Sequence, residues 1–255
     1  MVSLRTIQSA LLGLALCSAP ALASAQNFSE PQRGEIEKIV REYLLTHPEV
    51  LEEVSAELSK RQTAAEALKH ETAVTTNAQA IFSSPRGVTI GNKDGDVSFV
   101  EFFDYNCGYC KRAMTDMLEL MKSDPKLKVV LKEFPVLGPG SVEAAQIAVA
   151  VRMQDPTGKK YLDFHQKLLG GRGQADKARA MAAAKDAGID MTRLEKDLAS
   201  PEVRATLEEN FRLAEEMGMN GTPSYVIGKQ VVIGAVGVDS LREKIGVARC
   251  GKATC

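Results

Sequence analysis

Apolar residues recur at helical spacing in the N-terminal part of the chain. Within residues 29–70 they form two stripes separated by His47-Pro48, where the proline disfavours a helical conformation of the residue before it. The stripes comprise Ile36, Ile39, Val40, Tyr43 and Leu44, and then Val50, Leu51, Val54, Leu58, Ala65 and Leu68. This pattern predicts two helices that each bury one narrow edge against another helix. We favour a partner helix from a second copy of the chain over folding back onto the same domain, and we interpret residues 71–86 as a linker.

From Val88 onward, β-branched and aromatic runs alternate with helical segments. Strands are predicted over 88–90, 97–103, 127–134, 224–227 and 231–233. Helices are predicted over 107–122, 141–153, 159–169, 174–187, 190–198 and 201–217, with a last helix starting at Asp239. This order predicts an α/β domain over residues 85–255, with a mixed sheet and a helical insertion over 139–217.

The first 25 residues have the features of a cleaved secretory signal peptide. Arg5 precedes a long uncharged stretch whose apolar centre covers about 10–23, and Ala23-Ser24-Ala25 predicts cleavage before Gln26. A transmembrane anchor is disfavoured because spanning needs about 20 strongly apolar residues. Leu16 disfavours lipid attachment at Cys17, since lipoprotein signals have a small residue there. We therefore expect an exported, periplasmic protein.

Charge and composition exclude several classes of function. The chain has 32 Lys and Arg against 33 Asp and Glu, so no basic field indicates a nucleic-acid partner. No Gly-rich phosphate loop or Ser-His-Asp arrangement is present. His47, His70 and His165 lack ligand spacing and are predicted to be structural or exposed. We expect no metal and no cofactor.

Export changes how the cysteines are interpreted. Cleavage would leave Cys107, Cys110, Cys250 and Cys255 in an oxidising compartment, where thiols form disulfides. Four cysteines allow three pairings, and the close spacings favour 107–110 with 250–255. The C-terminal pair is predicted to be a local structural disulfide, with a regulatory or metal-binding thiol pair as the alternative.

Cys107-Gly108-Tyr109-Cys110 lies where a predicted strand ends and a predicted helix begins. The free N–H groups and the dipole of a helix N-terminus stabilise a thiolate, and such sites lower cysteine pKa values to about 3.5–7.5. Cys107 is therefore the predicted nucleophile, and Cys110, one turn later, is the predicted resolving thiol. A structural zinc site is disfavoured because no second Cys-x-x-Cys or His pair has the required spacing. The position at a helix start argues against a static disulfide.

A carboxylate precedes this motif by six residues. Alternation along strand 97–103 places Glu101 on the same face as Val97, Phe99 and Phe103. A buried carboxylate has a raised pKa and can relay a proton near the thiols. The alternative is an exposed charge on an edge strand.

Three motifs together resemble the DsbA-like branch of the thioredoxin superfamily. They are Val100-Glu101-Phe102-Phe103 with Cys107-Gly108-Tyr109-Cys110, Glu133-Phe134-Pro135-Val136-Leu137-Gly138 with Ser141 and Ala144-Ala145, and Gly221-Thr222-Pro223-Ser224. The resemblance covers roughly residues 88–247 and implies a thioredoxin-like fold with a helical insertion. The predicted N-terminal helical segment, 26–84, is similar to the extension of DsbA-like proteins of the copper-sensitivity-suppressor type (ScsC), in which it is associated with self-assembly.

The resemblance also assigns roles to individual residues. It implies that Pro223 is cis and lies beside the Cys107 sulfur, and that Thr222 offers backbone groups to an extended client. Gly108 and Tyr109 are expected to contact the client at the same place. Strongly oxidising members often carry His where Tyr109 stands, and Tyr cannot supply a cationic imidazole next to the thiolate. The resemblance therefore implies a less oxidising pair.

The function predicted from the sequence is an exported thiol–disulfide oxidoreductase. An isomerase or reductase that self-associates through residues 26–70 is favoured, acting on unfolded or misoxidised protein clients and recycled by a membrane redox partner. A monomeric dithiol oxidase is one alternative. A copper-handling protein, in which Cys107 and Cys110 hold Cu(I), is the other.

Overall fold

The computed structural model describes residues 28–255, and the predicted leader, residues 1–25, lies outside the described residues. Contacts divide the chain into two compact units, with the boundary in the sequence between Leu58 and Ser59. Among the described residues, none of the helices combines the length and hydropathy that a bilayer crossing requires.

The two predicted N-terminal helices are α1, Glu30–Thr46, and α2, Glu49–Thr76. The N–H of Ser29 donates to Oε1 of Gln32 at 2.9 Å at the start of α1, and the helix ends before Pro48. None of the α1 residues is buried. Large apolar side chains on the two helices are exposed by 41–72%: Ile36, Ile39, Val40, Tyr43, Leu45, Leu51, Val54, Leu58 and Leu68. The stripes are thus helical, as predicted, and exposed in a single chain.

The interpretation of residues 71–86 as a linker is wrong for most of that segment. Helix α2 continues to Thr76, and a short helix, α3, covers Ala78–Phe82. Val74 and Ile81 are buried in an apolar cluster with Phe102. The polar run 75–77 resembles a turn in the sequence, but its apolar neighbours pack into the core of the second unit, which begins at Ser59.

A five-stranded mixed sheet forms the centre of the second unit. Its strands are β1 Val88–Gly91, β2 Val97–Phe103, β3 Leu127–Glu133, β4 Ser224–Ile227 and β5 Gln230–Ile233, in the spatial order β1-β3-β2-β4-β5. β2 and β3 are parallel, and the other pairs are antiparallel. β2 is central and covered on both faces, which explains its nearly continuous hydrophobic sequence.

Helices cover both faces of this sheet. They are α4 Gly108–Ser123, α5 Pro139–Gln154, α6 Lys159–Gly170, α7 Lys177–Asp186, α8 Met191–Leu198, α9 Pro201–Glu216 and α10 Val238–Cys250. Phe99 and Phe103 of β2 pack in a cluster with residues of α4, α10 and the insertion. Val100 and Phe102 face the opposite side, where α3 and α9 contribute to the core.

The C-terminal tail folds back over α10. Cys250 and Cys255 form a disulfide, as predicted. A Cβ at Gly246 would lie 2.4 Å from the carbonyl oxygen of Ala253, so only glycine leaves room for the tail at this point.

Candidate active site

Cys107 is the N-cap of α4, which follows β2 after a short loop. Its sulfur accepts a hydrogen bond from the backbone N–H of Cys110 at 3.2 Å, and its thiol donates to the carbonyl oxygen of Thr222 at 3.2 Å. Both Cys107 and Cys110 are free thiols, with relative exposures of 6% and 0%, so the structure describes the reduced form of the pair and not the predicted 107–110 disulfide. The strand-to-helix position predicted from the sequence is thus present.

The two thiols differ strongly in acidity. The pKa of Cys107 is lowered to about 6, chiefly by the hydrogen bond with the Cys110 side chain, against the opposing effect of burial. Contacts with Thr222 and with backbone N–H groups of α4 lower this pKa further. Burial, followed by the hydrogen bond with Cys107, raises the pKa of Cys110 far above its ordinary value. At neutral pH the site therefore has one thiolate and one protonated, buried thiol.

Glu101 lies in the middle of β2 and is 2% exposed, so the alternative of an exposed edge-strand charge is wrong. In the sheet it is opposite Leu131 of β3 and Tyr225 of β4. Burial raises the pKa of Glu101 to about 8, and the negative charges of Cys107 and Asp116 add to the increase. The Glu101 carboxyl is therefore largely protonated at neutral pH while Cys107 is a thiolate.

Two polar atoms near Glu101 lack hydrogen-bond partners within the described chain. They are Oε2 of Glu101 and the hydroxyl of Tyr225, and both are buried. Buried polar atoms in this situation are places where an ordered water binds or a proton moves.

The loop before β4 completes the site. The peptide bond between Thr222 and Pro223 is cis, the conformation that the resemblance implies. Ser224 Oγ donates to the carbonyl oxygen of Gly221 at 2.7 Å, and Gly234 N–H donates to that of Pro223 at 2.8 Å. These bonds hold the loop so that the Thr222 carbonyl faces Cys107.

Between the two cysteines, Gly108 and Tyr109 are exposed, and Tyr109 has 60% of its surface accessible. The guanidinium carbon of Arg112 lies 4.8 Å from the centre of the Tyr109 ring, which is a cation–π distance. Tyr109 therefore presents a large apolar ring beside the nucleophile.

Asp104, a buried carboxylate three residues before Cys107, is a site residue that was not predicted from the sequence. One oxygen accepts hydrogen bonds from the N–H of Asn106 and the hydroxyl of Ser141, each at 2.7 Å. The other accepts from the N–H groups of Val136 at 2.8 Å and Leu137 at 2.9 Å. Asp104 thus joins the segment before Cys107 to residues 136–141, which are more than 30 residues away in sequence. The signal in the sequence that could have identified Asp104 is its position directly after a buried strand.

Asn106 extends this network into the insertion. Its amide nitrogen donates to Ser141 Oγ at 3.0 Å and to the carbonyl of Ala175 at 2.9 Å, and its amide oxygen accepts from the N–H of Ala175 at 2.7 Å. The residue before the nucleophile is therefore fixed to both α5 and the loop before α7.

His165 occupies a buried aromatic cluster with Phe103 and Tyr105. Burial lowers its pKa to about 3, so the imidazole is neutral at physiological pH. Its Nδ1 lies 3.4 Å from the hydroxyl of Tyr105. This agrees with the prediction that His165 is structural.

The geometry agrees with a comparison against known families. A family profile described as a DSBA-like thioredoxin domain matches residues 99–246, which include β2, both cysteines, the insertion and the cis-proline loop. The chain belongs to the DsbA-like thioredoxin-domain family. A second profile, the N-terminal domain of the copper resistance protein ScsC, matches residues 32–65.

Solved structures of this family resemble the chain. A thioredoxin-like oxidoreductase from Silicibacter pomeroyi is 40% identical, with a TM-score of 0.63, over 67% of this chain and 96% of that one. The catalytic domain of Proteus mirabilis ScsC is 30% identical, with a TM-score of 0.64, over 70% of this chain and 98% of that one. The DsbA-like fold and its oxidoreductase chemistry are thus shared with proteins of known structure.

Among curated relatives, disulfide bond formation protein D of Bacillus subtilis is 26% identical over 64% of this chain and 77% of its own length. Na(+)/H(+) antiporter NhaA 1 of Salinispora arenicola also matches, at 23% identity, but the chain spans only about a quarter (24%) of its length. That match covers 63% of this chain.

Proposed function

We propose that this protein is an exported thiol–disulfide isomerase or reductase in which Cys107 is the nucleophile. The observation that carries the proposal is the acidity difference between a Cys107 thiol with a pKa of about 6 and a buried, protonated Cys110. In the reduced protein, the Cys107 thiolate attacks a client disulfide, and one client sulfur leaves as a thiolate. Cys110 then loses its proton and attacks Cys107. This forms the Cys107–Cys110 disulfide and releases the second client thiolate.

Glu101 is the proposed acceptor of the Cys110 proton. The negative charge of Cys107 is one cause of the raised pKa of Glu101, and that charge disappears when Cys107 forms a mixed disulfide with the client. The pKa of Glu101 then falls, so a carboxylate becomes available at the step at which Cys110 must be deprotonated. Glu101 thus becomes a proton acceptor at the step at which Cys107 forms the mixed disulfide.

Client binding is assigned to the cis-proline loop and the residues between the cysteines. The carbonyl of Thr222 already accepts a hydrogen bond from Cys107, and Pro223 fixes its direction. Gly108 is exposed and carries no side chain, while Tyr109 offers an exposed ring. Tyr109 lacks the cationic charge that would stabilise the thiolate further, which favours shuffling or reduction over strong oxidation.

Self-association through residues 26–70 is the second part of the proposal. The exposed apolar stripes of α1 and α2 support it, because exposed apolar surface of this kind marks protein–protein contact. The match to the ScsC N-terminal profile over residues 32–65 points in the same direction. Several active sites around one client would favour repeated exchange over a single oxidation.

An exported location fits the leader predicted over residues 1–25 and the oxidised Cys250–Cys255 pair. One similar structure is described as a periplasmic thioredoxin-like protein from Salmonella enterica. Unfolded or misoxidised proteins are the proposed clients. A membrane protein that exchanges electrons with the Cys107–Cys110 pair is the proposed recycling partner.

The isomerase proposal is tested by refolding a scrambled protein with several disulfides. Reduced wild-type protein should restore activity to the substrate, and Cys107→Ser should not, while Cys250→Ser/Cys255→Ser should retain rescue. Fast oxidation of a reduced peptide without rescue of the scrambled substrate would favour the dithiol oxidase instead.

Assembly is tested by light scattering on the full mature chain and on the variant Ile39→Glu/Val54→Glu, which places charges on both exposed stripes. Loss of mass in the variant is expected. A wild-type protein that is monomeric, or a mass unchanged by the substitutions, would refute self-association through these helices.

The description of the ScsC profile favours copper handling as a second candidate function. Residues 28–255 contain no group of three or more His, Cys, Asp or Glu side chains placed to hold a metal, so the cysteine pair would have to supply the ligands. Titration with Cu(I) of wild type and Cys107→Ser separates the two functions. Tight binding that needs Cys107, without disulfide exchange, would establish the copper function.

A further inference from the structure

A cavity of about 350 Å³ lies directly beside the nucleophile. On one side it is lined by Cys107 and Lys111 of the active-site segment, and on the other by Leu169, Gly171 and Gln174 of the insertion. The cavity is distinct from the contact between Cys107 and Thr222, which belongs to the cis-proline loop. A client bonded to Cys107 therefore has a neighbouring space for the side chain of an adjacent residue.

Lys111 lines this cavity, Arg179 packs against its glycine loop and Arg172 belongs to that loop. The hydrogen-bond partners of Lys111 and Arg179 described below are uncharged carbonyl groups. The ammonium of Lys111 donates to the carbonyl oxygens of Gly170 at 2.8 Å and Gly171 at 3.1 Å. The guanidinium of Arg179 donates to the carbonyl oxygen of Gly173 at 2.6 Å. Arg172, between these glycines, is exposed and makes no ion pair with a carboxylate of the described chain. Carbonyl groups satisfy hydrogen bonds without neutralising the charge.

The glycines of this loop bring the cations close to the cavity. A Cβ at Gly171 would lie 2.0 Å from Nη2 of Arg179, so glycine is required for the guanidinium to pack against the loop. Arg179 is thus held beside Gly171, which itself lines the cavity. Arg112, stacked on Tyr109, adds a further positive charge near the nucleophile.

Asp163 and Asp176 are the acidic residues of the insertion nearest in sequence to this glycine loop, and Asp163 pairs with Lys167. Asp176 caps α7 by accepting from the N–H of Arg179 at 2.9 Å, and Glu143 accepts from the N–H of Lys177 at 3.1 Å. Both carboxylates accept hydrogen bonds from backbone N–H groups at the N-terminus of α7. In residues 168–179, which border the cavity, Arg172, Lys177 and Arg179 outnumber the one carboxylate, Asp176, so this side of the cavity has an excess of positive charge.

We propose that this cavity recognises a carboxylate of the client, so that cysteines flanked by Asp or Glu are the favoured exchange sites. This inference rests on the proposed function and names its substrate class. The positive charges of Lys111, Arg172 and Arg179 would raise the rate of encounter with such clients and favour their orientation at Cys107.

The test uses oxidised full-length protein and three reduced peptides with one cysteine each, which differ only in having Glu, Gln or Lys on both sides of it. Rate constants are measured for wild type, Arg172→Glu and Lys196→Glu. Lys196 is exposed on α8, so its reversal changes the net charge equally at a different place. Each peptide is also reacted with a small neutral disulfide, which corrects for the intrinsic reactivity of its thiol.

After this correction, wild type should prefer the Glu peptide over the Lys peptide by about tenfold at low salt, and the preference should decline in 0.5 M NaCl. Arg172→Glu should reduce this preference by about three- to tenfold. Lys196→Glu should leave the preference nearly unchanged, and the rate constant of the Gln peptide should be similar in all three proteins. If the ratio of the Glu-peptide to the Lys-peptide rate constant is the same in wild type and Arg172→Glu, and the Gln peptide exchanges normally, this inference alone would be overturned. Failure of all three peptides to exchange in both directions, as thiols with the oxidised protein and as mixed disulfides with the reduced protein, would refute the proposed function and this inference with it.

Discussion

Replacing Glu101 with Gln should stabilise the reduced protein at neutral pH, although it removes a residue of the proposed mechanism. Gln has nearly the shape of the protonated carboxyl and does not ionise. The pKa of Glu101 is about 8 in the folded protein, compared with an ordinary value of 4.5, because burial penalises the charged form. Below the pKa of the unfolded state, an acid with a raised folded pKa is protonated in both states, so its burial carries no charge penalty. As the pH rises towards the folded pKa, the group ionises only in the unfolded state, and the free energy of unfolding decreases.

The magnitude follows from these two values. Each unit of pKa difference corresponds to about 1.4 kcal/mol, so at pH 7 the wild-type protein is destabilised by roughly 3 kcal/mol through Glu101. The penalty vanishes near pH 4.5 and grows until about pH 8. Glu101→Gln should therefore match wild type at acidic pH and exceed its unfolding free energy by roughly 3 kcal/mol at pH 7.

Urea denaturation of the reduced proteins between pH 4.5 and 8 measures this difference. Glu195→Gln, at an exposed position of α8, is the matched control for the substitution itself. If the difference between Glu101→Gln and wild type is the same at pH 5 and pH 7.5, the carboxyl is not protonated by burial. The proton relay proposed for Glu101 would then lose its basis.

Three further predictions concern the surroundings of the thiolate. Alkylation of the reduced protein by iodoacetamide should occur at Cys107 with a midpoint near pH 6, because protonation removes the nucleophile below that pH, and a midpoint near 8.5 would contradict the lowered pKa. Tyr109→His should make the pair more oxidising by ~30 mV or more in a glutathione buffer, and an unchanged potential would remove Tyr109 as a determinant. Asp104→Asn should lower the free energy of unfolding by about 1–3 kcal/mol in urea denaturation, since an amide cannot accept from all four donors. The loss should exceed that of Ser141→Ala, which removes one donor, and a smaller loss would contradict the role of the network.

Periodicity and motif spacing were sufficient to predict most of the secondary structure and the central chemistry. Strand 97–103 and strand 224–227 have the predicted limits, and Cys107 lies at the predicted start of α4. These features depend on local signals: a hydrophobic run that ends at a helix start, and proline or glycine at the boundaries. Alternation also placed Glu101 on a buried face, because its apolar neighbours at i±2 point the same way.

Features that depend on distant segments could not be predicted in this way. The role of Asp104 needs Ser141 and the N–H groups of Val136 and Leu137, which only the folded chain brings together. The error at residues 71–86 has a related origin. Polar residues at 75–77 suggested a turn, whereas the burial of Val74 and Ile81 against the sheet decides the conformation.

The high pKa of Glu101 follows from the register of the sheet. Glu101 pairs with Leu131 of β3, and the adjacent Lys132 points to the opposite face because side chains alternate along a strand. There Lys132 is buried, lies 3.5 Å from Glu209 and donates to Asn210 at 3.4 Å. The nearest buried cation in β3 is thus separated from Glu101 by the sheet itself, and Leu131 and Tyr225 cannot supply a positive charge. A shift of one residue in the register would place a lysine opposite Glu101 and stabilise its carboxylate. The observed register instead keeps the carboxyl neutral while Cys107 is a thiolate, so the carboxylate that the proposed proton transfer requires becomes available only when the charge of Cys107 is lost in the mixed disulfide.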